Sequence, residues 1–218
     1  VEVLRPRLVR RDERQVDVRL HHRGELHLRL LRRFTQALQR HPVLAEIDES
    51  LTLDPQDVEK RITPKTRAIV PVHMLGNPSK MDAIMAIAKK HNLMVLEDCA
   101  QASGAIYKGR GVGSIGAMGC FSFNVYKTIT AGDGGLIVTN DADLFSRSFA
   151  LHDQGHMPNR MGVEIGNRTI LVMNFRMNEL TGAVALAQHL KLDKITATLR
   201  AKKKKLKDML RGLPGVSF

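Results

Sequence analysis

Residues 68–97 constrain the fold more than any other stretch of this chain. Ala68-Ile69-Val70-Pro71-Val72-His73 is an apolar run of strand length, and Leu93-Met94-Val95-Leu96-Glu97 is a second. Between them Met81, Ile84, Met85, Ile87 and Ala88 recur at helical spacing and form one apolar stripe. Strand, helix and strand in so short a span make a β-α-β unit, which implies parallel neighbours joined by a right-handed crossover. The expected class is therefore α/β, a mainly parallel sheet flanked by helices.

The neighbouring residues extend this alternation. Residues 42–48 read as a short strand, and Asp54-Pro55-Gln56-Asp57 supplies an N-cap, a proline at the first helical position and a first-turn acid. Pro71 puts the end or the edge of a strand at its position, Ser79 is expected to cap the helix of the apolar stripe, and Asn92 to end it. A glycine-rich stretch, 104–119, leads into Cys120-Phe121-Ser122-Phe123, and Gly134-Gly135 precedes the strand 136–139. Asn140 or Asp141 then starts a helix to about residue 151, 152–173 reads as a surface loop, and Leu180, Ala183, Val184, Ala187 and Leu190 mark a long helix continuing toward Leu210.

A chain of 218 residues has room for one substantial core. Its net charge of +12 suggests nucleic acid until its distribution is considered. Residues 1–40 hold 11 Arg, no Lys and 5 acids, whereas residues 41–218 hold 9 Arg, 14 Lys and 17 acids, so each part carries +6. The first part has no steady hydrophobic period and no nucleic-acid motif. It suits a basic arm, a disordered extension, or residues read in a frame foreign to this fold. Nucleic acid is thus not expected as a partner. No apolar stretch reaches the roughly 18 residues that cross a bilayer, and the start lacks an apolar signal core, so the cytoplasm is the expected location. Cys99 and Cys120 lie in apolar runs and are expected to pack as small buried thiols.

Three motifs have plainer readings. Gly111-Val112-Gly113-Ser114-Ile115-Gly116 matches the dinucleotide pattern G-x-G-x-x-G, yet it precedes a strand instead of opening a helix. His152 and His156 are four apart, but Gly155 disfavours the helix that would pair them on a metal, and no metal site is expected. The run Lys202-Lys203-Lys204-Lys205-Leu206-Lys207 suits the solvated last turns of a helix.

The remaining signal is chemical. Asp98 closes the run 93–98, and Lys127 follows the run Cys120-Phe121-Ser122-Phe123 by four residues. An acid at one strand end and an amine just past another suit a pyridoxal phosphate ring, the amine at its aldehyde and the carboxylate at its ring nitrogen. With Gln101 three residues after Asp98 and Ser122 five before Lys127, the chain resembles the DegT family of pyridoxal-phosphate-dependent sugar aminotransferases. The resemblance covers residues 42–218 and rests on ordered stretches: Pro71-Val72-His73-Met74-Leu75-Gly76-Asn77-Pro78, Leu96-Glu97-Asp98-Cys99-Ala100-Gln101-Ala102, Gly132-Asp133-Gly134-Gly135 and Asn174-Phe175-Arg176-Met177-Asn178.

The resemblance implies the large-domain fold of the aspartate aminotransferase superfamily, and roles for individual residues. Lys127 matches the catalytic lysine, nucleophile toward the cofactor aldehyde and carrier of the substrate proton. Asp98 matches the carboxylate that keeps the pyridine nitrogen protonated, Gln101 a residue beside the ring, and Ser122 a hydroxyl donating to the cofactor phosphate. Asn174 matches a residue reaching the phosphate held by a neighbouring subunit, which implies a homodimer. The implied reaction moves an amino group from glutamate or glutamine to a nucleotide-linked keto-sugar; a lysine at 127 argues against the dehydratase branch. Two departures stand out. Residues 1–40 lack the family's Gly-Thr-Ala-type phosphate turn, with Gly24 their only glycine and Thr35 their only threonine, and the chain stops at Phe218, where the smaller C-terminal domain would begin. The expected organisation is a basic extension (1–40), a cofactor-binding core (41–190) and the start of a linker helix (191–218), with the small domain truncated. A catalytically impaired fragment is the alternative to an active enzyme.

Overall fold

The computed structural model describes residues 15–18, 41–158 and 170–216. Five strands form one sheet: β1 (Gln15–Val18), β2 (Thr66–Val70), β3 (Met94–Asp98), β6 (Met118–Ser122) and β7 (Gly135–Val138), in that spatial order. The first three pairings are parallel and β6–β7 is antiparallel. A separate hairpin joins β4 (Ile106–Tyr107) to β5 (Arg110–Gly111). The helices are α1 (Pro55–Arg61), α2 (Met81–Lys90), α3 (Ala142–His152), α4 (Glu179–His189) and α5 (Leu192–Leu210). The β2-α2-β3 crossover is the unit expected from residues 68–97. Beyond it, the basic segment contributes β1, for which its sequence carried no strand pattern.

Local chemistry accounts for most boundaries. Asp54 caps α1 by accepting from Gln56 N at 2.9 Å, ahead of Pro55. Asn92 ends α2 in the left-handed region (φ 52°), and Leu93 N then bonds Ala88 O at 2.8 Å. Asp141 caps α3 through Leu144 N at 2.9 Å. Pro71 lies just past the end of β2, the terminal position its missing N–H demands.

Three expectations are corrected. Residues 42–48 form no strand but a single antiparallel bridge, Ile47 to Leu53, because Asp48 Oδ1 captures Ser50 N at 2.8 Å and turns the chain. Ser79 does not cap α2, which has no side-chain cap; its hydroxyl donates to Val72 O at 3.1 Å. The long C-terminal helix is two helices, separated at Leu190 and Lys191. The break lets α5 reach the turn at Gly104, whose carbonyl accepts from Arg200 Nη2 at 3.0 Å. Half of the expected loop 152–173 falls on residues 159–169, outside the described set. Lys202, Lys203, Lys204 and Lys205 are all exposed, as a solvated helix face requires.

The main core lies between α1, α2 and one face of the sheet. Val58, Ile69, Met81, Ile84 and Val95 are each at most 2% exposed. Full burial of side chains this size contributes about 1.5–3 kcal/mol each. A second cluster, Phe123, Ile129 and Ala185, seats α4 next to the end of β6. Among the described residues no helix is long and apolar enough to cross a membrane.

Candidate active site

In an open parallel sheet, ligands bind beyond the carboxyl ends of the strands, where helix and strand termini leave a crevice. Asp98 ends β3 and Ser122 ends its parallel neighbour β6. The register pairs Asp98 with Cys120, two residues before Ser122, so the period of two puts Asp98, Cys120 and Ser122 on one face. The electrostatics agree. Partial cover of the sulfur of the otherwise exposed Cys120 raises its thiol above the ordinary range, and the Asp98 charge raises it further.

Lys127 follows in a turn closed by its own N–H on Asn124 O at 3.0 Å. It is half-buried, and its amine makes no ion pair or hydrogen bond among the described residues. Asp98 is also half-buried; its Oδ1 accepts from Ala100 N at 3.0 Å. Its backbone is braced on both sides, N–H to Pro71 O at 2.9 Å and C=O from His73 N at 3.0 Å, while Cys99 N bonds Cys120 O at 2.8 Å. Ser122 Oγ accepts from Asn124 N at 3.3 Å.

The other two expected residues are engaged elsewhere. Gln101 is exposed, and its Oε1 accepts from Leu75 N at 2.9 Å, tying down the 3-10 turn Met74–Gly76. Asn174 is exposed, bridges Asp153 at the end of α3, and accepts from Arg176 N at 2.9 Å. Arg176 in turn pairs with the buried Asp153. A groove of about 870 Å³ opens beside the set, lined by Cys120, Leu136, Ile137, Phe149, Phe175 and Met177 among others. None of the five expected residues lines it. Cys120 is exposed there, correcting its expected burial, because the run 120–123 is covered on only one face; Cys99 is buried as expected.

On the opposite face the sequence concealed a polar centre. Glu97 is 1% exposed and His73 0%. Ser79 N donates to His73 Nδ1 at 3.0 Å, so the ring proton sits on Nε2, which donates to Glu97 Oε2 at 3.0 Å. Gly113 N reaches Oε2 at 2.8 Å, and Ile115 N and Gly116 N reach Oε1 at 2.7 and 2.6 Å. The G-x-G-x-x-G loop is thus a cradle for the protein's own carboxylate. Its glycines permit close approach: a Cβ on Gly116 would lie 2.6 Å from Val95 O, and one on Gly113 (φ +88°) 2.8 Å from the Phe121 ring. The signal available was an acid inside an apolar strand together with a glycine loop that no helix follows.

His73, Glu97 and Cys99 place potential metal ligands within 4.8 Å of one another. The chemistry favours a hydrogen-bond network. Both ring nitrogens and both carboxylate oxygens already have partners, and burial holds the Cys99 thiol well above its ordinary value. At the other histidine pair, His152 Nδ1 bonds Phe149 O at 2.7 Å, and a turn through Gly155 separates it from His156.

Burial pushes the Glu97 pKa up, but the hydrogen bonds from His73 and the three backbone N–H groups outweigh it, leaving it below that of a free glutamate. A carboxylate depressed in the folded state adds stability above its unfolded pKa and loses it as pH falls through the lower folded value. Urea unfolding at a series of pH values should therefore show stability falling as the pH drops below the ordinary glutamate range, with a shallower slope in Glu97→Gln.

Fold and site together define an α/β core with an acid and a hydroxyl at the carboxyl ends of adjacent parallel strands. Residues 34–218 match the model of the DegT/DnrJ/EryC1/StrS aminotransferase family. The chain belongs to that family. A second family model, NAD-specific glutamate dehydrogenase, matches residues 1–62, under a third of the chain. GDP-perosamine synthase of Caulobacter vibrioides is 43% identical over 153 residues, covering 70% of this chain and 40% of that protein. L-glutamine:2-deoxy-scyllo-inosose aminotransferase of Streptoalloteichus tenebrarius is 40% identical over 178 residues, covering 78% and 42%. Among solved structures, DesV of S. venezuelae superposes with TM-score 0.80 at 35% identity, covering 93% of this chain and 52% of that one. This chain spans about two fifths of the length of the curated relatives it matches.

Proposed function

We propose that this chain is the cofactor-binding core of a pyridoxal-phosphate-dependent aminotransferase, one that passes an amino group from glutamate or glutamine to a nucleotide-linked keto-sugar. The observation that carries the reading is the placement of Asp98 and Ser122 on one face at adjacent parallel strand tips, followed by the half-buried amine of Lys127, unengaged among the described residues. The donor set suits the cofactor: a carboxylate for a protonated ring nitrogen, a primary amine for an aldehyde, and a hydroxyl for a phosphate. Gln101 and Asn174 are proposed to complete its surroundings. When bound, the pyridine ring supplies an electron sink for charge developing at the substrate carbon.

Lys127 Nζ would hold the cofactor at its aldehyde and would be the group that moves a proton at the substrate carbon. Asp98 would keep a proton at the ring nitrogen, and Ser122 Oγ would donate to the phosphate. The substrate class follows from relatives whose names specify GDP-perosamine synthesis and amination of a scyllo-inosose by glutamine. A homodimer and a cytoplasmic location belong to the same proposal. Incubation of the purified chain with pyridoxal phosphate and borohydride, followed by peptide mapping, should place one cofactor mass on Lys127. A protein left unlabelled at saturating cofactor would favour the impaired-fragment reading, and a label on another lysine would reassign the nucleophile.

A further inference from the structure

The two acids that close β3 point to opposite faces, and only one of them is placed where a ligand can reach it. Asp98 faces the open side. Glu97, its immediate neighbour, is enclosed by four donors from two parts of the chain: His73 after β2, and the backbone of Gly113, Ile115 and Gly116 before β6. His73 links the two acids directly, because its ring donates to Glu97 while its backbone N–H donates to the Asp98 carbonyl. Ser79 N fixes the other ring nitrogen. The peptide carrying Asp98 is therefore clamped at its carbonyl by the same residue that clamps the side chain before it.

We propose that His73 and Glu97 are positioning residues for the Asp98 carboxylate, holding the tip of β3 so that Asp98 stands at a fixed place on the open face. This rests on the proposed role of Asp98 as the ring-nitrogen partner. A structural pair alone would need no link to the strand tip's chemistry; here the four donors converge on the residue beside the working acid. Glu97→Gln keeps the shape but exchanges one acceptor oxygen for a donor facing donors. His73→Leu removes the ring donor, whereas His73→Gln keeps a side-chain N–H close to where Nε2 stood.

The test uses the full chain and these three variants, each held well below its melting temperature. In cofactor-free protein, hydrogen exchange at the His73 and Asp98 amides should be roughly tenfold faster in Glu97→Gln and His73→Leu than in wild type, with α5 unchanged. In cofactor-loaded protein, borohydride should still fix pyridoxal phosphate on Lys127 in both. kcat should fall about 100-fold with KM little changed, as expected for a displaced catalytic group, and His73→Gln should recover most of the loss. A folded Glu97→Gln or His73→Leu with wild-type kcat overturns the proposal. So does failure of all three variants to fold, which would make the network structural alone. If Glu97→Gln alone does not fold, the contrast between His73→Gln and His73→Leu decides. Failure of the wild type to take up cofactor would count against the proposed function; unchanged amide exchange would count against the clamp by itself.

Discussion

Lys127→Ala is expected to abolish both covalent capture of pyridoxal phosphate by borohydride and amino-group transfer. The alanine side chain has no nucleophile, and in the proposed site no second amine occupies the turn after β6: residues 123–126 are Phe, Asn, Val and Tyr. Loss of the proton carrier alone is worth about 10²–10⁴ in rate, and loss of the nucleophile adds to it. Lys127→Arg separates charge from chemistry. It keeps the cation, but a guanidinium stays protonated and cannot attack an aldehyde, so it should be as inactive as alanine. Neither substitution should disturb folding, since the turn is closed by the backbone bond from residue 127 to Asn124 O. The readouts are the mass of the reduced cofactor-bearing peptide and the rate of amine transfer from glutamate. Turnover by either variant would remove Lys127 from its role.

The sequence made the parallel core legible because its signals were local and mutually consistent. The stripe Met81, Ile84 and Ala88 and the runs around Ile69 and Val95 each bury one face, and those faces meet. The tips of β3 and β6 were equally legible, since Asp98 and Ser122 each end an apolar run. What could not be read was long-range. Gln101 is drawn to Leu75 N across a separation of 26 residues, and the cradle around Glu97 joins positions 73, 97 and 113–116. No local period encodes a carboxylate that satisfies a glycine loop, so the loop read as a failed dinucleotide motif. The break at Leu190 was hidden for a related reason. Neither Leu190 nor Lys191 disfavours helix, and the bend becomes intelligible only from the docking of α5 at Gly104. Cys120 shows the limit of reading short apolar runs as buried on both faces. Strand alternation left its face open, and that open face is where Asp98 stands.

Asp98→Asn should reduce kcat by about 10²–10³ while leaving capture of the cofactor on Lys127 intact. The asparagine amide keeps an oxygen where Asp98 Oδ1 accepts from Ala100 N, so the local turn after β3 survives the change. Only the negative charge is lost. In the proposed reaction that charge holds a proton on the ring nitrogen at the moment electron density leaves the substrate carbon, so its removal weakens an interaction that strengthens toward the transition state. The loss should accordingly appear in kcat and in kcat/KM to the same degree. Asp98→Ala supplies the control for structure: it also deletes the acceptor for Ala100 N, which costs about 0.5–1.5 kcal/mol of stability and should lower the urea midpoint where Asp98→Asn does not. Stability and rate therefore separate across the two variants. Equal kcat in Asp98→Asn and wild type would mean that the acid at the tip of β3 does not face the ring nitrogen, whatever holds it in place.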